Sequence, residues 1–398
     1  MKKFFRRKFF WLPLFFIICI ALLFSLGLDD VFLSQHEIRI GLIAELSGSM
    51  KSVGQSSKQA VELAVNEVNA AGGVMVAGVR YPIHLITLDN KSSVSETEND
   101  VSQLNREHVA AIIGPNASSY AQAAAKVAER EKVVLISPWS TQDNITLINN
   151  KPSTYIFRAG FTESFQEKSL AYFASNILKA DKATIIYDAK TQVLKQQADF
   201  FSSYFKNTHG VIVDVIGFNN PQNLSQQLAM LMQKKPDMIF LPAYTNDAVS
   251  IIHAIHTQNI KISIVGSDSW GGEQMIKVCG QDCNGYYISS HFNQQNTNPV
   301  THDFVTTYQK QFKTTPDDIA ALSYDATNII LQAINKAGGT SHEDIAQAMH
   351  AIENFNGVTG YITFTNKSND PQKNIYINQI QNGVIKFVQA ISPKDIEE

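Results

Sequence analysis

The 398 residues contain no Pro/Gly-rich or Ser-rich tract of any length, no short internal repeat and no low-complexity block. Disordered and fibrous architectures are thereby excluded. Catalytic signatures are missing too: no Gly-x-Ser-x-Gly elbow, no P-loop, no dinucleotide Gly-x-Gly-x-x-Gly after a strand and no His-Glu-x-x-His. Nothing in the sequence points to an enzyme. Cysteine is scarce, three in all, and charged residues make up 17% against 44% hydrophobic. At roughly 100 to 200 residues per domain the length suggests two or three globular domains.

One stretch stands apart. Phe9 to Leu28 carries no charge and follows Lys2, Lys3, Arg6, Arg7 and Lys8. Twenty apolar residues at about 1.5 Å rise each match a bilayer core of about 30 Å, so residues 1–28 read as a signal peptide or an uncleaved anchor. Ser25-Leu26-Gly27 offers a small-x-small cleavage site. A lipid-modified Cys19 is disfavoured, because Ile18 stands where a small residue is needed. Both remaining readings leave the five cations in the cytoplasm and export the rest, with inner-membrane association through residues 9–28 in the anchored case. The exported part keeps 28 Lys/Arg against 36 Asp/Glu, a formal charge of −8, which argues against a nucleic-acid partner. It keeps two cysteines, Cys279 and Cys283, an even number for an oxidising compartment. A local disulfide is the expectation, with two free thiols as the alternative. A metal there would lack further nearby ligands.

From residue 38 onward short β-branched runs alternate with amphipathic stretches of helical period, the pattern of parallel sheets covered by helices on both faces. The fold class is α/β. A first series of strands reads at Ile38 to Ala44, His84 to Leu88, Ala110 to Ile113 and Val133 to Ile136, with helices between them. Gly72-Gly73 closes the first helix. A second series follows Phe157-Arg158, with strands at Thr184 to Tyr187, Val211 to Ile216, Met238 to Leu241, Ile262 to Val265 and Gly285 to Ser290. After Pro299 the texture is helical to Ile352, then alternating to Val388.

Open α/β sheets bind ligands beyond the carboxyl ends of their strands. Four such ends carry suitable groups. Gly114-Pro115-Asn116-Ala117-Ser118-Ser119 offers a hydroxyl and helix N-terminal N–H groups for an anion, or Ser118 or Ser119 is a plain N-cap. Ser137-Pro138-Trp139-Ser140-Thr141 adds a hydroxyl and a large aromatic, though Thr141 could equally cap a turn. In the second series Tyr244 follows one strand, and Gly266-Ser267-Asp268-Ser269-Trp270 the next. Asp268 can neutralise a cation with Tyr244 packed over it, or serve only as a turn former. His253 and His256 stand three apart on a helix, but with no third ligand evident they read as a solvated face. No metal or other cofactor is expected. Hydroxyls and helix dipoles on one unit, with a carboxylate and aromatics on the other, suit a small zwitterion such as an α-amino acid.

The order of motifs resembles the type I periplasmic binding proteins of the leucine/isoleucine/valine-binding class. The stretches that carry it are Ile40 to Gly48, Ala60 to Gly73, Ile112-Ile113-Gly114-Pro115, Leu135-Ile136-Ser137-Pro138, Phe157-Arg158, Ser323-Tyr324-Asp325-Ala326 and Phe355 to Gly360. Each is weak alone, but the ordered set is specific. The resemblance implies two Rossmann-like lobes hinged by three crossovers, lobe I holding 37–157 and 292–353, lobe II holding 158–291 and 354–398. It implies that Ser118 and Thr141 take the α-carboxylate of an amino-acid ligand, that Asp268 takes its ammonium, and that Tyr244 is the lobe II aromatic. It also implies a partner, the permease of an ABC transporter to which the small polar ligand is delivered. A ligand-sensing module or an envelope structural protein on the same fold is the alternative. Three positions depart from the pattern: Val53 where an aromatic is usual, Gln192-Val193 where Tyr-Gly is usual, and Trp139 where a small residue is usual.

Overall fold

The computed structural model describes residues 37–365 and 368–396. The apolar segment at Phe9 to Leu28 and its cleavage site lie outside the described residues, and no helix among those described is long and apolar enough to cross a membrane.

The first sheet has five strands: β1 (Ile38–Ala44), β2 (Ile83–Asp89), β3 (Ile112–Ile113), β4 (Leu135–Ser137) and β5 (Ile156–Arg158). They run parallel in the order β2-β1-β3-β4-β5. β1 pairs with β2 from Ile38↔Ile83 to Ala44↔Asp89. Its residues are apolar almost without alternation, and Ile40, Leu42, Ile43 and Ala44 are fully buried, as befits a strand covered on both faces. Helices α1 (Lys51–Ala70), α2 (Val94–Arg106) and α3 (Ser118–Glu131) connect these strands. Ser93 caps α2 by accepting from the Glu96 N–H. Past α1 the chain turns through Gly72 and Gly73, at φ 93° and 95°; a Cβ on Gly73 would lie 2.2 Å from the Tyr81 carbonyl oxygen, so only glycine fits.

The second sheet has seven strands: β6 (Lys182–Asp188), β7 (Val211–Phe218), β8 (Met238–Phe240), β9 (Ser263–Gly266), β10 (Tyr287–Ser290), β11 (Ile375–Gln381) and β12 (Val384–Ile391). Their order is β7-β6-β8-β9-β10-β11-β12, parallel as far as β10, with β11 and β12 added antiparallel. Its helices are α4 (Glu163–Tyr172), α5 (Gln192–Asn207), α6 (Ser225–Leu231), α7 (Thr245–Thr257) and α8 (Gly272–Cys279). One face packs α4 and α5 around Phe201, Phe205 and Phe240; the other packs α6, α7 and α8 around Ile252, Trp270 and Met275. Cys279 and Cys283 are joined as a disulfide at the end of α8. His253 and His256 both turn to Asp282 beside it, and among the described residues no group of three or more His, Cys, Asp or Glu is arranged to hold a metal.

Three helices after β10, namely α9 (Pro299–Phe312), α10 (Asp318–Ala337) and α11 (His342–His350), return to the first sheet. α10 packs on α1, and its Leu322, Ile329 and Ile330 join the core under β1. The chain therefore crosses between the two lobes at 159–162, after Ser290, and between α11 and β11. Residues 355–365 do not go with the second lobe as the sequence suggested: Ile362 and Phe364 sit in the first core, with Phe364 edge-on to Phe157. Burial of two large side chains outweighs the alternating pattern that linked this segment to the strands after it.

Candidate functional site

The loops beyond the carboxyl ends of the strands meet around the first crossover. On the first lobe, the turn after β3 is bound from below by Glu45, which is fully buried at the end of β1. Its Oε1 accepts from the N–H groups of Asn116 (3.0 Å) and Ala117 (3.2 Å), and its Oε2 from Asn116 Nδ2 (3.0 Å). Two N–H groups expected to be open to an anion are thus already taken. Ser118 is not an N-cap: Ala117 holds that position, and Ser118 is the first helical residue. The next turn is bolted to this one, since Ser137 donates to Pro115 O at 2.7 Å and shares a hydrogen bond with Ser140. Trp139 is partly buried against the first core.

Thr141 faces the crossover. Its hydroxyl donates to Glu163 Oε1 (3.3 Å), and its carbonyl accepts from the Glu163 N–H (2.8 Å). Glu163 is the first residue of α4 and is fully buried. Burial pushes its carboxyl up to about 8, and the charges of Asp268 and Asp143 push the same way, against the Thr141 hydrogen bond and Arg158. Glu167, one turn on, is also fully buried; its Oε1 accepts from Gln166 Nε2 (2.9 Å), and burial lifts it well above the carboxylate range.

From the second lobe, Asp268 opens a short turn after β9 with its side chain almost fully covered. The Asp268 Oδ2 lies 3.4 Å from His291 Nε2. His291 is fully buried and stacked on Phe161, with ring centroids 3.6 Å apart. Burial holds the imidazole below its ordinary value despite the hydrogen bond and charge of Asp268. Tyr244 precedes α7 and is half exposed; desolvation, then Asp268, Glu163 and Asp188, push its phenol up. Trp270 belongs elsewhere: it is fully buried, donates to Leu241 O (2.9 Å) and lies beneath Gly266.

Thr141, Glu163, Asp268 and Tyr244 therefore share one electrostatic neighbourhood, and the first lobe's Ser118 and Trp139 stand on its two adjoining turns. The buried cations near the crossovers are engaged. Arg158 bonds Asp370 Oδ1 (2.5 Å), Ser140 O (3.1 Å) and Gln142 O (2.7 Å). Lys373 donates to Thr359 Oγ1 (2.7 Å) and Ala159 O (3.3 Å). What remains is acidic. Such a site can hold a cationic group on the second-lobe side and hydrogen-bond acceptors on the first. A separate concavity of about 620 Å³, lined by Asp237, His256, Lys261 and Tyr286 among others, lies at the opposite end of β8–β10 and shares no residue with this set.

Sequence reasoning missed Glu163 and His291. His291 directly follows a strand end and was open to the same rule that found Asp268. Glu163 gave no such signal.

Comparison with known proteins places the whole architecture. The profile of a family described as periplasmic binding protein matches residues 37–384. A Leu/Ile/Val-binding protein homolog 8 of Brucella abortus is 26% identical over 361 residues, 85% of this chain and 86% of that protein. A leucine-binding protein from Thermotoga maritima superposes with a TM-score of 0.78 at 27% identity, covering 90% of this chain and 99% of that one. A branched-chain amino acid transporter substrate-binding protein from Streptococcus pneumoniae, in complex with isoleucine, gives 0.77 at 29% identity, with 90% and 100% coverage.

Proposed function

Since this chain belongs to the periplasmic binding protein family, we propose that it captures an L-amino acid between its lobes and delivers it to the permease of an ABC transporter. One observation carries the amino-acid part: hydroxyl-bearing turns of the first lobe and acids of the second meet at one place, the complement of a carboxylate beside an ammonium. In this reading Ser118 and the turn at Thr141 face the α-carboxylate, Asp268 the ammonium, and Tyr244 and Trp139 the side chain. The Thr141 hydroxyl is shared with Glu163, so the turn's backbone contributes alongside it. The mechanism is closure: contacts to both lobes exist together only when the lobes approach, so ligand shifts the population toward the closed form. Residues 9–28 direct the chain across the membrane, by cleavage or as an anchor.

The test is thermal unfolding of the purified protein with each of the twenty L-amino acids and their D-enantiomers. A ligand at a hundred times its Kd adds about 2.7 kcal/mol, a clear rise in Tm. A stereospecific rise with one group of L-amino acids is expected. A folded sample that responds to none of them overturns the amino-acid reading.

A further inference from the structure

Glu163 has two oxygens in different situations. Its Oε1 accepts from Thr141, while its Oε2 is buried with no partner among the described residues. A carboxylate oxygen shut away from water and from donors needs a proton or a cation. Asp268, the acid that most influences it, comes from the turn after β9 of the same lobe and is itself nearly covered. The other ionisable groups acting on Glu163 are Asp143 and Arg158 from the first lobe. Glu167 lies on its own helix, Tyr244 precedes α7, and His291 touches Asp268. Among these the one permanent cation, Arg158, is bound to Asp370 and to backbone carbonyls. Two buried carboxyls without a counter-ion cannot both be ionised at little cost.

We infer that Glu163 and Asp268 together form the seat of the ligand's ammonium, and that without ligand this seat holds a proton on Glu163 which the ammonium displaces. The inference rests on the amino-acid reading above and deepens it. The upward push on the Glu163 carboxyl supports it, because at neutral pH the proton is then present to be released. The step balances. The ligand keeps all three ammonium protons, the Glu163 O–H bond breaks, its electron pair stays on the carboxylate, and the proton passes to buffer. Binding exchanges one positive charge for another at the same place.

Proton release makes affinity depend on pH. Below about pH 8 the apparent affinity for an amino acid should rise about tenfold per pH unit, the slope of one linked proton. Isothermal titration calorimetry of the purified protein with L-leucine, in phosphate and in Tris at pH 7, reads that proton directly from the buffer-dependent heat. Close to one proton released per ligand is expected. In Glu163→Gln, a neutral and nearly isosteric change, release disappears and the profile from pH 6 to 8 becomes flat. In Asp268→Asn affinity falls at least about tenfold at every pH. The deaminated analogue 4-methylpentanoate should bind at least about a hundredfold more weakly than L-leucine.

If L-leucine is silent, the other nineteen L-amino acids are titrated in turn; a chain that binds none overturns this inference together with the function proposed. Amino-acid binding with no buffer-dependent heat, or with the same heat in Glu163→Gln, overturns the shared seat alone and leaves that function standing. Equal binding of 4-methylpentanoate overturns the ammonium seat in the same way.

Discussion

Arg158 ties the cleft together. It is fully buried in β5, and its guanidinium reaches Asp370 near the third crossover and the carbonyls of Ser140 and Gln142, in the loop that carries Trp139 and Thr141. Asp370 also accepts from Thr146 at 2.8 Å. Arg158→Met leaves Asp370 without its cation and two carbonyls without that donor, and should destabilise the protein by about 3 to 5 kcal/mol in urea unfolding. Arg158→Lys should recover only part of this, because an ammonium cannot reproduce the planar fork. Residues at strand ends are legible in the sequence because position alone marks them: Thr141, Tyr244 and Asp268 do lie beyond the strand ends where that rule looks. Glu163 was not, because an acid in the first turn after Thr162 reads as an ordinary partner of the helix dipole. It is buried where loops distant in sequence meet at the crossover, its hydroxyl partner Thr141 coming from the first lobe, which no local pattern encodes. Glu45 was hidden for the same reason, since its partners lie some seventy positions away.

At the scale of elements, burial decides what a sequence reveals. Strands covered on both faces, such as Ile38–Ala44, declare themselves as continuous apolar runs, while the Ser93 cap that opens α2 was not read from the sequence. The small hairpin Val74–Val76 and Val79–Tyr81 went unread, because three-residue strands carry too little alternation. β5 was taken only as a boundary, three residues being below the length at which a run is distinctive. α4 is α-helical only to Tyr172, and the chain then widens into a π-turn over Phe173–Ile177. Apolar periodicity continues through that turn, so sequence cannot mark it. α8 was likewise missed, being short and opened by Gly271 and Gly272.

For the molecule as a whole, the ordered set of motifs made the two-lobed fold readable, while the route of residues 355–365 into the first core was not. Its buried acids also set how stability responds to pH. Glu163, pushed up to about 8, and Glu167, held well above its ordinary value, keep protons in the folded chain that the unfolded chain has already lost. The folded state therefore binds more protons, and stability falls as pH rises through these values. Asp318, pushed up to about 7, acts the same way at lower pH. His291, His342 and His350 are held below 6.5 by burial and act oppositely, but that action is complete near pH 7. Between pH 7 and 8 the ligand-free protein should lose about 1 kcal/mol more stability than Glu163→Gln, measured by urea unfolding at both values. The placement of the aromatic residues has an optical consequence. Of the three tryptophans, Trp11 lies in the N-terminal apolar segment, Trp139 stands partly open on a cleft turn, and Trp270 is sealed inside the second lobe. On the proposed function, and once the N-terminal segment is removed, the protein carries its own pair of lamps: the emission of Trp139 should follow what enters the cleft, while that of Trp270 supplies a steady internal reference.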